Sequence, residues 1–248
     1  MKAFFILPFL TTLLASPSQR TSSSTSSALN GSEGGNVTAN AVNSTGVSCT
    51  ANVIKSTHGN LILTAAHCTR GDMTNHTFVP GWSEGKTPYG VWVIEAAFVT
   101  SAWQKTQDPQ HDFAILRVAP NDKHMSLQSV TGGVRVYPAP KSGTRITDVA
   151  YNDDTAQPVT CTAPLYYYTG YVAFDCGGFV GGSSGSGFID HKNRRLYGVI
   201  GGLHQGGCLP STSYSSTFGK AVQALIARAE RKGAKGDIVV KAGSDGCE

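Results

Sequence analysis

Short apolar or alternating runs recur along the chain between Gly, Pro and Asn: VSCTANVI, LILTAA, VWVIEAAFV, FAILRV, VRVYP, TRITDVAY, VTCTAPLYYY, YVAFDC, GFID and LYGVIGG. Alternation with period two, bounded by turn residues, marks half-buried strands, and many short strands at this spacing predict an all-β sandwich or barrels. One segment, FGKAVQALIARAERKG at 218–233, has helical periodicity instead: Val222, Leu225, Ile226 and Ala229 share a face and Gly233 ends it. It predicts a single C-terminal helix at about 218–232. Residues 16–46 carry neither pattern; with T-S-S-S-T-S-S at 21–27 they read as a flexible linker or removable pro-segment, the fold starting near Val47. The roughly 200 residues that follow suit two small barrels, one at about 47–125 and one at about 133–217, with the Pro/Gly-containing stretch near 119–140 as the crossing.

Composition narrows the class. The 248-residue chain is 15% charged, against about 25% for an ordinary soluble domain, and holds 29 Gly, which favours turn-rich β structure. Its formal charge of +4 contains no dense Lys/Arg run, so nucleic acid is not an expected partner. After the N-terminus no apolar run approaches the ~18 residues that would span a bilayer, so no membrane partner is expected.

The first 15 residues, MKAFFILPFLTTLLA, place one Lys before a short apolar stretch ending in small residues, the layout of a secretory signal peptide. Cleavage is expected after Ala15, because cleavage after Ser16 would leave Pro17 directly behind the cut. A secreted, extracellular protein follows. N-glycosylation triplets stand at Asn30, Asn36, Asn43 and Asn75, although such triplets also arise by chance in a chain rich in Ser and Thr. The six Cys fit up to three disulfides in such a compartment. Cys49 and Cys68 bracket two β-rich runs around the turn signal His58-Gly59-Asn60, and Cys161 and Cys176 are nearly symmetric about Thr169-Gly170, so each pair falls across a hairpin. Cys208 and Cys247 remain by elimination, with Cys176–Cys208 as an open rival. No C-x-x-C or H-E-x-x-H spacing occurs, so no metal or other cofactor is expected.

Three segments carry candidate chemistry. In Thr64-Ala-Ala-His67-Cys68 a His follows a β-run beside a candidate disulfide, which would hold a general base in place, although a lone His is more often structural. In Asp112-Phe-Ala-Ile-Leu116 a carboxylate opens an apolar strand, where burial is expensive unless a donor meets it; such an Asp is also an ordinary turn or cap residue. In Gly181-Gly182-Ser183-Ser184-Gly185-Ser186-Gly187 glycines free the backbone to turn its N–H groups toward a ligand while a hydroxyl stands at the apex, although a flexible loop reads the same way.

Together and in this order, T-A-A-H-C, D-F-A-I-L and G-S-S-G resemble the trypsin/chymotrypsin-like serine protease superfamily, over roughly residues 47–232. CTANVI…GNLILTAAHC, V-x-C…F-D-C…GGSSGSGF and LYGVIGGLHQGG look closest to its secreted microbial glutamyl endopeptidase-like branch. The resemblance implies two antiparallel six-stranded β-barrels with the active site between them and a C-terminal helix. It also implies a monomer acting on protein or peptide substrates. In the family's triad mechanism Ser184 attacks the carbonyl, His67 moves the proton, Asp112 orients His67, and the N–H groups of Gly182 and Ser184 form the oxyanion hole. Ser184 fits the G-x-S-G frame; Ser183 lacks the following Gly, and Ser186 has Ser rather than Gly two residues before it.

Two departures from the trypsin pattern matter. Ser183 stands where trypsin-type zymogens carry the Asp that pairs with a new N-terminus, so that switch is expected to be absent. Neither 177–182 nor 200–207, the expected walls of the primary pocket with Gly178 and Gly206, contains an acidic residue, which disfavours cleavage after Arg or Lys. His204 resembles the pocket His that receives an acidic side chain in glutamyl endopeptidases, so acidic or small uncharged residues are expected there. An inactive homologue acting as a secreted binding protein is the rival. An esterase is disfavoured because its G-x-S-x-G elbow is absent and His67 precedes Ser184.

Overall fold

The structure is a computed structural model and describes residues 38–43, 46–153, 155, 157–239 and 245–247. The expected signal peptide and the triplets at Asn30 and Asn36 lie outside these residues, and of Asn43 and Asn75 the backbone alone is described. Six strands, β1 (Thr38–Asn43), β2 (Gly46–Val53), β3 (Leu61–Thr64), β4 (Thr77–Pro80), β5 (Trp92–Phe98) and β6 (Ala114–Val118), close into a barrel in the order β1-β2-β3-β6-β5-β4. Every pairing in it is antiparallel. Two short helices, α1 (Ser101–Thr106) and α2 (Leu127–Thr131), flank it, and Ser126 caps α2 by accepting from the Ser129 N–H.

Seven further strands form the second sheet: β7 (Arg135–Val136), β8 (Arg145–Ala150), β9 (Val159–Tyr168), β10 (Tyr171–Asp175), β11 (Gly187–Asp190), β12 (Arg195–Val199) and β13 (Thr212–Ser215). Their order is β13-β10-β9-β8-β11-β12-β7. The sheet curls until β12 meets β13, where Gly201 N–H donates to Tyr214 O at 2.9 Å and Val199 N–H to Ser215 Oγ at 2.9 Å. The seventh strand is β7, two residues laid parallel on the outer edge of β12. The helix α3 (Lys220–Glu230) follows, burying Val222, Leu225 and Ala229. No helix among the described residues is long and apolar enough to cross a membrane.

The barrel starts earlier than the expected Val47. β1, with the composition of a linker, pairs with both β2 and β4 and so closes the ring; ladder hydrogen bonds come from the backbone and do not depend on side-chain hydrophobicity. Both faces of β3 are buried. Ile62 points into the first barrel with Phe78, Trp92 and Leu116, whereas Leu61 and Leu63 face the other way, into a layer with Ile115, Ile189, Val199 and Leu225. A strand covered on both sides reads as a continuous apolar run, as L-I-L does. The second barrel has its own interior, including Ile146, Leu165, Phe174 and Phe188. Cys49–Cys68 (Cα–Cα 6.1 Å) and Cys161–Cys176 (6.5 Å) form as the spacing indicated, and the pair left by elimination, Cys208–Cys247 (5.4 Å), forms rather than its rival Cys176–Cys208. Such bonds suit an oxidising compartment.

Candidate active site

The pairing of β3 with β6 brings two of the expected residues together. Thr64 is opposite Ala114, so the single turn Ala66–Cys68 leaving β3 and Asp112, two residues ahead of β6, emerge at the same end of adjacent strands. Asp112 is fully buried, and its carboxylate takes three N–H donors: His67 N to Oδ1 at 2.9 Å, His67 Nδ1 to Oδ2 at 2.8 Å, and Gly202 N to Oδ2 at 2.8 Å. A buried carboxylate accepting from Nδ1 fixes the proton there and leaves Nε2 as the basic nitrogen. The Cys49–Cys68 bridge anchors the residue that follows His67 to β2.

Ser184 comes from the second barrel, on the loop between β10 and β11, yet three hydrogen bonds tie this loop to the first. Thr50 N–H donates to Ser184 O at 2.8 Å and Thr50 Oγ1 to Gly182 O at 3.0 Å, while Oγ1 accepts Tyr151 N–H at 3.0 Å. Asn52 Nδ2 donates to Gly185 O at 2.8 Å, and Thr64 Oγ1 to Thr50 O at 2.7 Å. Thr50, Asn52 and Thr64 are each at most 1% exposed. Sequence reading missed all three; their trace was the alternation of Thr50 and Asn52 with Cys49, Ala51 and Val53 along β2. Within the loop the N–H groups of Ser183, Gly185 and Ser186 donate to Val180, Ile200 and Ser183 carbonyls, and Ser183 Oγ donates to Val180 O at 2.6 Å. The N–H groups of Gly182 and Ser184 have no intramolecular acceptor among the described residues. Gly182 has φ +88°, and a Cβ there would lie 2.6 Å from Asp153 N and 2.7 Å from Tyr151 O, so the position takes only glycine.

One cleft of about 640 Å³ is lined by His67, Gly182, Ser183 and Ser184 together with Phe179, Val180, Ile200 and Ser213. His204 and Gly206 line it as well; Gly178 does not, its carbonyl instead accepting from Asn152 Nδ2 at 2.7 Å. His204 stands at the rim, with Nδ1–H donating to Asp245 O at 3.0 Å. Two His/Cys groups, Cys49-His67-Cys68 and His204-Cys208-Cys247, have metal-like spacing, but all four sulfurs are committed to disulfides and offer no thiolate. Behind the loop lies Asp148 on β8, fully buried with no hydrogen-bond partner for either oxygen among the described residues. Burial pushes its carboxyl well above the usual carboxylate range, opposed only by the nearby Ser186 hydroxyl.

The model of the trypsin-like peptidase domain matches residues 49–199, more than half of the chain. The chain belongs to this family. Among solved structures, the protease Anisep from Arthrobacter nicotinovorans superposes with a TM-score of 0.64 at 20% identity, covering 77% of this chain and 93% of that one. A Glu endopeptidase in complex with MPD gives 0.61 at 19% identity over 79% and 90%, and a mutant of human heparin binding protein gives 0.62 at 15% over 79% and 92%. At these identities the likeness is one of fold. No curated protein sequence matches. His67 and Ser184 line one cleft, and Asp112 is buried behind His67.

Proposed function

We propose that the protein is a secreted serine endopeptidase that hydrolyses peptide bonds through Ser184, His67 and Asp112 and an acyl-enzyme intermediate. The observation that carries this reading is that His67, held by the buried Asp112, shares one cleft with Ser184 beside two N–H groups that have no acceptor among the described residues. Asp112 holds His67 with Nε2 free, so His67 takes the Ser184 proton as Oγ attacks the carbonyl carbon. The oxyanion then sits against Gly182 and Ser184 N–H, where loss of one donor typically lowers kcat by about 10²–10³. His67 returns the proton to the leaving amine, and water repeats the sequence on the acyl-enzyme. Secretion rests on the N-terminal apolar stretch and the three disulfides.

Phe179 and Ile200, 6% and 4% exposed, line the cleft, which favours an uncharged side chain before the scissile bond; Asp153 and Asp245 line it too, the Asp153 carboxylate lying against Gly181 and Gly182. An acidic preference would act through His204 at the rim. The test is hydrolysis of reporter peptides that differ only at that residue. Wild-type protein should cleave those with small or apolar residues, and Ser184→Ala and His67→Ala should each lose at least about 10³-fold in kcat. Equal rates for wild type and Ser184→Ala would exclude the mechanism; an acidic preference abolished by His204→Ala would assign the pocket to acidic side chains.

A further inference from the structure

The turn Leu203–Gly206 holds two consecutive non-glycine residues in the left-handed region, His204 at φ 52°, ψ 37° and Gln205 at φ 52°, ψ 30°. Each such residue costs about 1–2 kcal/mol and persists only where its surroundings fix it. The surroundings are the chain segment Asp245–Cys247. Its Asp245 carbonyl accepts the His204 Nδ1–H, and its Gly246 lies against the His204 ring, where a Cβ would come 3.3 Å from Nδ1. Cys247 is bonded to Cys208, two residues beyond Gly206, and the segment closes on itself through Cys247 N–H to Asp245 Oδ1 at 3.2 Å. At its other end the same turn is tied to the triad pair by Gly202 N–H on Asp112.

A second depression of about 320 Å³, lined by Trp103, Gln107, Leu203, His204, Asp245 and Gly246, adjoins the catalytic cleft. His204, Gln205 and Asp245 line both. A peptide extending from one to the other must cross the wall these three residues make.

We propose that Asp245–Cys247 is a specificity-determining strap that fixes the 203–208 turn and forms part of the wall between the two depressions, selecting for extended peptide substrates. Residues of the substrate beyond the one in the catalytic cleft are then recognised through a surface that exists only while the strap is pinned. This rests on the endopeptidase reading, and its substrate class is a peptide of several residues rather than a single acylated amino acid.

The test compares wild type with Cys208→Ala/Cys247→Ala, and with Gly246→Ala, which keeps the disulfide and pushes a methyl toward the His204 ring. Each is assayed on an internally quenched octapeptide and on a single-residue anilide with the same residue before the scissile bond. Both variants should lose about tenfold or more in kcat/KM on the octapeptide, mainly through KM, and less than about threefold on the anilide. A loss equal on both substrates would make the strap merely structural, and an unchanged KM for the octapeptide would overturn the proposal. Stoichiometric labelling of wild-type Ser184 by a fluorophosphonate separates the two claims. Labelling with unselective losses sinks the strap alone, whereas no labelling sinks the endopeptidase reading and the strap with it.

Discussion

Replacing Thr50 with Val removes one hydroxyl from a site where the barrels are joined. That oxygen accepts the Tyr151 N–H and donates to the Gly182 carbonyl, each at 3.0 Å, and Thr50 is fully buried. The valine leaves an amide N–H and a carbonyl without partners where water does not replace them, at about 1–3 kcal/mol each. The sum, about 2–6 kcal/mol, is a large part of the roughly 5–15 kcal/mol by which a domain is held folded. At about 2–4 °C per kcal/mol for a domain of this size, Tm should fall by about 5–20 °C. Gly182 also carries one of the two N–H groups assigned to the oxyanion, so a displaced Gly182 should lower kcat by about 10- to 100-fold. KM should move less, because that interaction is made in the transition state. Thr50→Ser keeps the hydroxyl and should keep kcat within about threefold. Differential scanning calorimetry and steady-state kinetics on the three proteins decide it. A Thr50→Val protein with wild-type Tm and kcat would refute the claim that this hydroxyl ties the nucleophile loop to the first barrel.

Asp148→Asn should raise Tm at neutral pH and leave it nearly unchanged near pH 4. The folded carboxyl is raised, so the unfolded state gives up its proton first and stability falls as pH climbs from the unfolded value toward the folded one; a Tm that rises equally at both pH values would contradict this. Asp237→Asn should lower Tm by about 2–6 °C. It weakens the pair of bonds from Arg228, at 2.8 and 2.6 Å, and the Val99 N–H bond at 3.0 Å that together moor α3 to the first barrel. Because Arg228 is about a third exposed, the loss should shrink in high salt, and a salt-independent loss would point to packing instead.

Which elements were legible follows from which forces hold them. Runs with dense apolar alternation, such as LILT and FAILRV, appear as β3 and β6 because they line two cores. The helix α3 appears where Val222, Leu225 and Ala229 repeat. Three strands escaped. β1 is small and polar, β4 ends in Pro80, and β13 is T-S-Y-S, whose Ser215 is buried because its hydroxyl accepts from Val199 and donates to Ser216 O. β1 and β13 are placed by ladder and hydroxyl hydrogen bonds, and β4, though Phe78 and Val79 are buried, is four residues long, so none of the three leaves a hydrophobic period to read. The same division runs through the site. His67, Asp112 and Ser184 sit in local sequence frames. Thr50 and Asn52 act on a loop more than 130 residues away, and only the packing of one barrel on the other reveals their partners. The Cys208–Cys247 bond could be reached by elimination, but its contact with His204 could not.

The central claim is that Ser184 is a nucleophile activated by His67. Incubation of the folded protein with a fluorophosphonate, followed by proteolysis and mass spectrometry, tests it directly. The account predicts one adduct per chain, on Ser184 and not on Ser183 or Ser186, absent from Ser184→Ala and strongly slowed in His67→Ala. No adduct on the folded protein, or an adduct formed at the same rate without His67, would contradict it.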